Sequence, residues 1–201
     1  MMTVQNENRL SSYLGKLVTQ VKPVATWADI AVPEAELRVL QQIAAHAGQS
    51  QQVSKSSPSG SAGGPASGVV ALFAGPSGTS KTMAAEALAQ QMKRQLYRVN
   101  LREVVSKYIG ETEKNLQRVF DAAKASGAVL FFDEADGLFG NRSEVKDSHD
   151  RYANIEVNYL LEKVEAFRGV VIVAVNNASD IDSTFRKRMR HVIQFPYPLG
   201  K

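Results

Sequence analysis

The chain has 201 residues, of which 44% are hydrophobic and 22% charged, and a formal net charge of +4. That length can bury a sizeable core, and the composition is that of an ordinary globular protein. There is no cysteine, which excludes disulfides and thiolate-bound zinc, and the three histidines are too scattered to suggest metal-ligand spacing. A charge of +4 does not by itself argue for nucleic acid. No apolar run approaches the ~18 residues of a membrane span. The first residues lack a basic-then-apolar leader, so a cytoplasmic location is expected.

In chain order, residues 1–47 read as an N-terminal segment whose helix packs on the main domain. A short helix is expected around Leu10–Val21, ended by Pro23. Trp27-Ala28-Asp29-Ile30 reads as a short anchor. Pro33-Glu34 opens a helix, with proline and acid in its first turn. Leu37, Leu40, Ile43 and Ala44 share one face of it. Residues 48–68 are rich in Ser, Gly, Gln and Pro, with Val53 the only sizeable apolar side chain, and read as a flexible linker. Residues 69–201 form the main domain. Strands are expected at Val69–Ala74, Leu96–Asn100, Ala128–Asp133, Val170–Val175 and Val192–Phe195. Helices are expected at Lys81–Lys93, Thr112–Ser126 and Tyr152–Phe167. The third and fourth strands are continuous apolar runs, as in parallel strands covered on both faces. Alternation of strand and helix predicts a three-layer α/β domain.

The first strand runs into Gly75-Pro76-Ser77-Gly78-Thr79-Ser80-Lys81-Thr82. This reads as a phosphate-binding loop, G-x-x-x-x-G-K-[ST], with Ser80 in place of the second glycine. Such a loop turns backbone N–H groups and a helix N-terminus toward an anion. Lys81 would meet the β- and γ-phosphates, and the Thr82 hydroxyl would meet Mg²⁺. An apolar strand then ends in Asp133-Glu134, at the ligand edge of a parallel sheet. Asp133 would hold Mg²⁺ through water, and Glu134 would polarise an attacking water. The strand Val170–Val175 ends in Asn176-Asn177. Asn176 can position that water, although asparagine also serves simply as a turn residue, which is the expectation for Asn177. Arg186-Lys187-Arg188-Met189-Arg190 is a solvated face, a nucleic-acid patch, or a set of arginines offered to a phosphate.

Together these motifs resemble the AAA+ ATPases, specifically the AAA clade that includes katanin, spastin and the membrane protease FtsH. The resemblance runs from about Trp27 to Pro198, interrupted by the linker. Gly75–Thr82 corresponds to the family's GPPGTGKT, Phe132-Asp133-Glu134-Ala135-Asp136 to its hDEhD, and Ala174-Val175-Asn176 to its ATN. Ser106-Lys107-Tyr108-Ile109-Gly110-Glu111-Thr112-Glu113 resembles a segment whose aromatic residue grips a polypeptide in the pore of a hexamer.

The resemblance implies a P-loop NTPase α/β/α sandwich with a five-stranded parallel sheet, using ATP and Mg²⁺. It implies that Gly75 through Thr82, with Met83, hold the nucleotide, and that Ile30 and Ala31 lie beside the adenine. Tyr108 and Ile109 would be pore residues. Arg188, and after it Arg186, would reach the γ-phosphate of a neighbouring subunit. Trans arginines are worth ~10³–10⁵ in rate in other NTPases, so hydrolysis would require a ring, a nucleotide-dependent hexamer by resemblance. The protein substrate is not legible.

Two departures from the pattern stand out. Ser80 puts a side chain where backbone closely approaches phosphates, so binding with reduced turnover is expected. The sequence stops at Lys201, before the family's helical lid. A fragment, or a short form that hydrolyses poorly, is therefore expected. A nucleotide-binding scaffold with weak or no turnover is the alternative. Asp133-Glu134-Ala135-Asp136 spells the motif of DEAD-box RNA helicases, but a second RecA-like domain and a Ser-Ala-Thr motif are missing. A DNA-acting helicase loader is a further rival, against which Tyr108-Ile109-Gly110 favours a polypeptide substrate.

Overall fold

The computed structural model describes residues 15–56, 68–105, 110–136, 158–178, 181, 186–187 and 189–197. Six strands form one sheet: β1 (Val18–Val21), β2 (Val69–Ala74), β3 (Leu96–Val99), β4 (Val129–Phe132), β5 (Val170–Val175) and β6 (His191–Gln194). Their order is β1-β3-β4-β5-β2-β6. The five strands expected from sequence are all present and mutually parallel, and β1 adds an antiparallel edge. The helices are α1 (Glu34–Ser56), α2 (Lys81–Gln91), the short α3 (Leu101–Val104), α4 (Glu111–Ser126) and α5 (158–166).

Successive side chains of a strand point to opposite faces, so a strand buried on both sides must be apolar throughout. β4 and β5 are buried at every position. Leu72, Leu130, Phe132, Val171 and Val173 face one way and pack with Leu116, Val119 and Phe120 of α4 and with Leu160 and Val164 of α5. Phe73, Phe131, Ile172 and Ile193 face the other way, with Leu40 and Ile43 of α1 and Ala84, Ala85 and Leu88 of α2. Each large side chain so buried contributes about 1.5–3 kcal/mol. The three expected layers result. Among the described residues, no helix is long and apolar enough to cross a membrane.

The N-terminal reading needs correction. Residues 18–21, expected in a helix, are a strand that pairs Val18 with Val99 and Val21 with Leu96. Val18, Thr19 and Val21 are β-branched and suit an extended edge. The open ladder of β3 then decides their conformation, a tertiary effect that local pattern does not carry. The backbone of α1 also continues to Ser56, into the segment read as linker. Trp27–Asp29 is a 3-10 turn. Its capping box has Asp29 accepting both the Thr26 N–H and the Thr26 hydroxyl, each at 2.8 Å.

A candidate nucleotide site at the strand ends

β2 leads straight into the glycine loop, and the loop is anchored on both sides. Gly75 N–H donates to Val175 O at 3.1 Å, and Phe195 N–H donates to Ala74 O at 2.7 Å. Gly75 has to be glycine, because a Cβ there would lie 2.2 Å from Phe195 O. Gly78 is required for a different reason: its φ is +81°, with open space around it. The loop ends at Ser80, whose carbonyl accepts the Ala84 N–H at 2.8 Å and so begins α2.

Lys81 is buried. Its ammonium donates to the carbonyls of Gly75 and of Pro76, the latter at 2.8 Å. Burial lowers its pKa below the usual lysine range, against the opposing pull of Asp133, Asp136 and Glu134. Thr79 steadies the loop by donating its hydroxyl to Pro76 O at 2.9 Å.

Across the cleft, β4 ends and the chain turns sharply. Glu134 takes a left-handed backbone with φ 52°, a conformation that costs a non-glycine residue roughly 1–2 kcal/mol and is a form of strain found at functional sites. Its N–H donates to Asp133 Oδ1 at 3.0 Å. Asp133 Oδ2 pairs with the Arg98 guanidinium of β3 at 2.8 Å. Ala135 N–H donates to Ala174 O at 2.9 Å. Asp136 then accepts both the backbone N–H of Asn176 at 2.7 Å and its side-chain amide at 2.9 Å. The amide of Asn176 is thereby aimed from the end of β5.

Ser77, Gly78, Thr79, Lys81 and Thr82 line one wall of a cavity of about 100 Å³, and Asp133, Glu134 and Asn176 line the other. The sequence motifs therefore converge, as the carboxyl-end crevice of a parallel sheet predicts. A second cavity of about 420 Å³ adjoins it through the shared Asp133 and Glu134 and is lined by Arg98 and Arg102. Among the described residues, no cluster of three or more His, Cys, Asp or Glu is arranged to hold a metal. Thr82 and Asp133 offer hard oxygens on one cavity. That fits Mg²⁺, which takes one or two protein oxygens and leaves the remaining positions to water and phosphate.

The other expected site residues divide. Ile30 is buried against α1 and α2, while Ala31 is exposed and its N–H donates to the Ser80 hydroxyl at 3.1 Å. Met83 and Arg186 are exposed. Tyr108, Ile109 and Arg188 lie outside the described residues. Of the residues flanking the first two, Val104 accepts the side-chain amide of Asn115 at 3.2 Å, and Gly110 has φ +78°. Sequence reasoning missed Arg98, which sits mid-strand with no motif around it. It quoted Asp136 within a motif without giving it a role, and nothing in the sequence points from it to Asn176, 40 residues on.

Comparison with known proteins agrees with this geometry. The sequence model described as "ATPase family associated with various cellular activities (AAA)" matches residues 71–197. The chain is 35% identical over 129 residues to the uncharacterized AAA family ATPase y4kL of Sinorhizobium fredii, covering 63% of this chain and 38% of that protein. It is 37% identical over 134 residues to the proteasome-activating nucleotidase of Methanoculleus marisnigri, covering 63% of this chain and 32% of that protein. It thus spans less than two fifths of the length of these curated relatives. The FIGL-1 AAA domain in complex with ADP superposes with a TM-score of 0.65 at 25% identity, covering 94% of this chain and 62% of that one. A phosphate loop, a carboxylate pair and a strand-end asparagine around one cavity, with a family match over most of the domain, place this chain in the AAA family of ATPases.

Proposed function

We propose that the chain binds ATP with Mg²⁺ and hydrolyses it as one subunit of a ring, coupling turnover to the remodelling of a polypeptide. The observation that carries this reading is the convergence of Lys81, Thr82, Asp133, Glu134 and Asn176 on one cavity. Residues 69–201 are the ATPase unit, the described part of residues 1–47 packs on it through Ile30, Leu40 and Ile43, and the site works in the cytoplasm.

Gly75 through Met83 surround the phosphates, with the backbone N–H groups not committed inside the loop turned to the oxygens, and Ile30 and Ala31 lie on the base side. Lys81 leaves its loop carbonyls for the β- and γ-phosphate oxygens. Thr82, and Asp133 through water, would hold Mg²⁺, and the bound ion would supply positive charge against the phosphate oxygens. Glu134 takes a proton from the attacking water as its oxygen bonds to the γ-phosphorus and the bond to ADP breaks. Asn176, aimed by Asp136, fixes where that water stands. Arg188, with Arg186 second, stabilises the transferred phosphoryl in a neighbouring subunit. Tyr108 and Ile109 grip the substrate chain, a role supported by resemblance to proteins of which one is named for proteasome activation.

A second reading, a nucleotide-binding scaffold with little turnover, is favoured by Ser80, whose hydroxyl is bonded to the Ala31 N–H. The test of the main reading is size measurement with and without ATP and Mg²⁺, beside a phosphate-release assay. An ATP-dependent ring that releases phosphate is the expected outcome. A species of constant size that binds ATP without releasing phosphate supports the scaffold.

A further inference from the structure

Ser80 is the one residue of the phosphate loop that departs from the motif, and its side chain is already engaged. Its hydroxyl accepts the N–H of Ala31 at 3.1 Å, across a sequence separation of 49 residues. Ala31 follows the 3-10 turn Trp27–Asp29, so the bond joins the loop to the stretch of residues 24–31, a strap on the domain. A second tie lies further along α2. The Glu86 carboxylate accepts the N–H groups of Val24 at 3.2 Å and Ala25 at 3.3 Å. The strap is therefore fastened to the nucleotide-side helix at two points, one carboxylate and one hydroxyl. Glycine at position 80 would keep the carboxylate tie and remove the hydroxyl one.

We propose that the Ser80 hydroxyl is an internal competitor for the base side of the site. This inference rests on the ATP-site reading. Ala31 is an exposed residue whose N–H is a donor at the mouth of the phosphate loop. A base and ribose settling there must either displace the Ser80 hydroxyl or forgo that donor. Neither Ser80 nor Ala31 lines the cavity formed by Ser77, Gly78, Thr79, Lys81, Thr82 and Asp133, so phosphates held there as proposed do not meet this bond. Ser80 thus lowers affinity for a whole nucleotide while leaving affinity for its polyphosphate unchanged. That distinguishes it from a serine that merely strains the loop, which would weaken both ligands together.

The experiment compares the wild type with Ser80→Ala, Ser80→Gly and Ser80→Thr. Each is titrated with ATP and with inorganic tripolyphosphate at fixed Mg²⁺, and Ala31 amide exchange is followed by NMR in ligand-free protein. Ser80→Ala and Ser80→Gly should each bind ATP about three- to tenfold more tightly, the size of one exposed hydrogen bond. Tripolyphosphate affinity should stay within about twofold, a bound well below that single-bond effect. Ser80→Thr, which keeps the hydroxyl, should match the wild type. Ala31 exchange should quicken severalfold in the Ala and Gly variants only. Equal gains for ATP and tripolyphosphate, a gain in Ser80→Gly alone, or unaltered Ala31 exchange in Ser80→Ala would overturn the proposal and leave the ATP site standing. Failure of all four proteins to bind ATP would overturn the ATP-site reading, and this inference with it.

Discussion

The Arg98 guanidinium of β3 and the Asp133 carboxylate beyond β4 form an ion pair at 2.8 Å, with side chains 49% and 15% exposed. The carboxylate proposed to serve Mg²⁺ is thus already balanced by a cation of the same chain. Its other oxygen accepts the Glu134 N–H. On the proposed reading, metal and arginine compete for this one group.

Arg98→Ala should lower the Mg²⁺ concentration that half-saturates ATP binding. Because Arg98 is half exposed and screened, the effect should be moderate, about two- to fivefold. A Mg²⁺ titration of fluorescent-ATP binding measures it. An increased Mg²⁺ requirement would show that Arg98 holds Asp133 in its working position.

Asp136 fixes Asn176 by accepting two hydrogen bonds from it. Asp136→Ala should leave ATP affinity within about threefold while slowing phosphate release about tenfold or more, the pattern of a group that matters only in the transition state. Thermal stability should fall by about 1 kcal/mol, because Asn176 is exposed and its freed groups meet water. A large loss of ATP affinity with unchanged turnover would contradict this role.

Gly75→Ala tests the root of the loop. A Cβ 2.2 Å from Phe195 O and 2.7 Å from Phe195 Cβ cannot be relieved by a flexible side chain alone. The backbone must move, at a cost of about 1–3 kcal/mol. Calorimetry should show a melting temperature lower by several degrees. An unchanged melting temperature would mean that β6 yields freely.

Much of this arrangement was legible in the sequence. A continuous apolar run such as Val170–Val175, only six residues long and rich in β-branched side chains, reads as a strand covered on both faces. The spacing of Leu116, Val119, Phe120 and Ala123 allows only a helix packed on one face. That the glycine loop and the Asp133-Glu134 pair meet at one cavity was legible, because each follows an apolar strand of one parallel sheet and so lies at its carboxyl edge. Val18–Val21 was not, since an edge strand is decided by the ladder it joins. Arg98 was not, because one arginine in a four-residue strand carries no periodicity, and its meaning lies in β4 across the register Arg98↔Phe131. The bond between Ser80 and Ala31 joins residues far apart in sequence, so Ser80 could be flagged as a departure but not given a partner.

His191 at the start of β6 supplies a pH dependence. Burial first, then the positive charges of His46 and Arg190, depress its pKa below the ordinary 6.5. The unfolded chain therefore binds more protons than the folded one as pH falls through 6.5 toward the folded value, and stability is lost in that window. Relative to His191→Gln, the wild type should lose melting temperature below pH 6.5 and match its own plateau above it. A difference between the two proteins that does not change with pH would remove this explanation.

Glu134 carries the central claim, since it is the group proposed to take the proton of the attacking water. It is exposed at the cavity mouth, so Glu134→Gln should leave the fold intact. The decisive measurement is release of radiolabelled γ-phosphate by wild type and Glu134→Gln, at ATP concentrations shown to saturate each. Binding within about threefold, with phosphate release slowed about 10²-fold or more in the variant, is the expected result. Equal release by both proteins, or saturable ATP binding by neither, would contradict it.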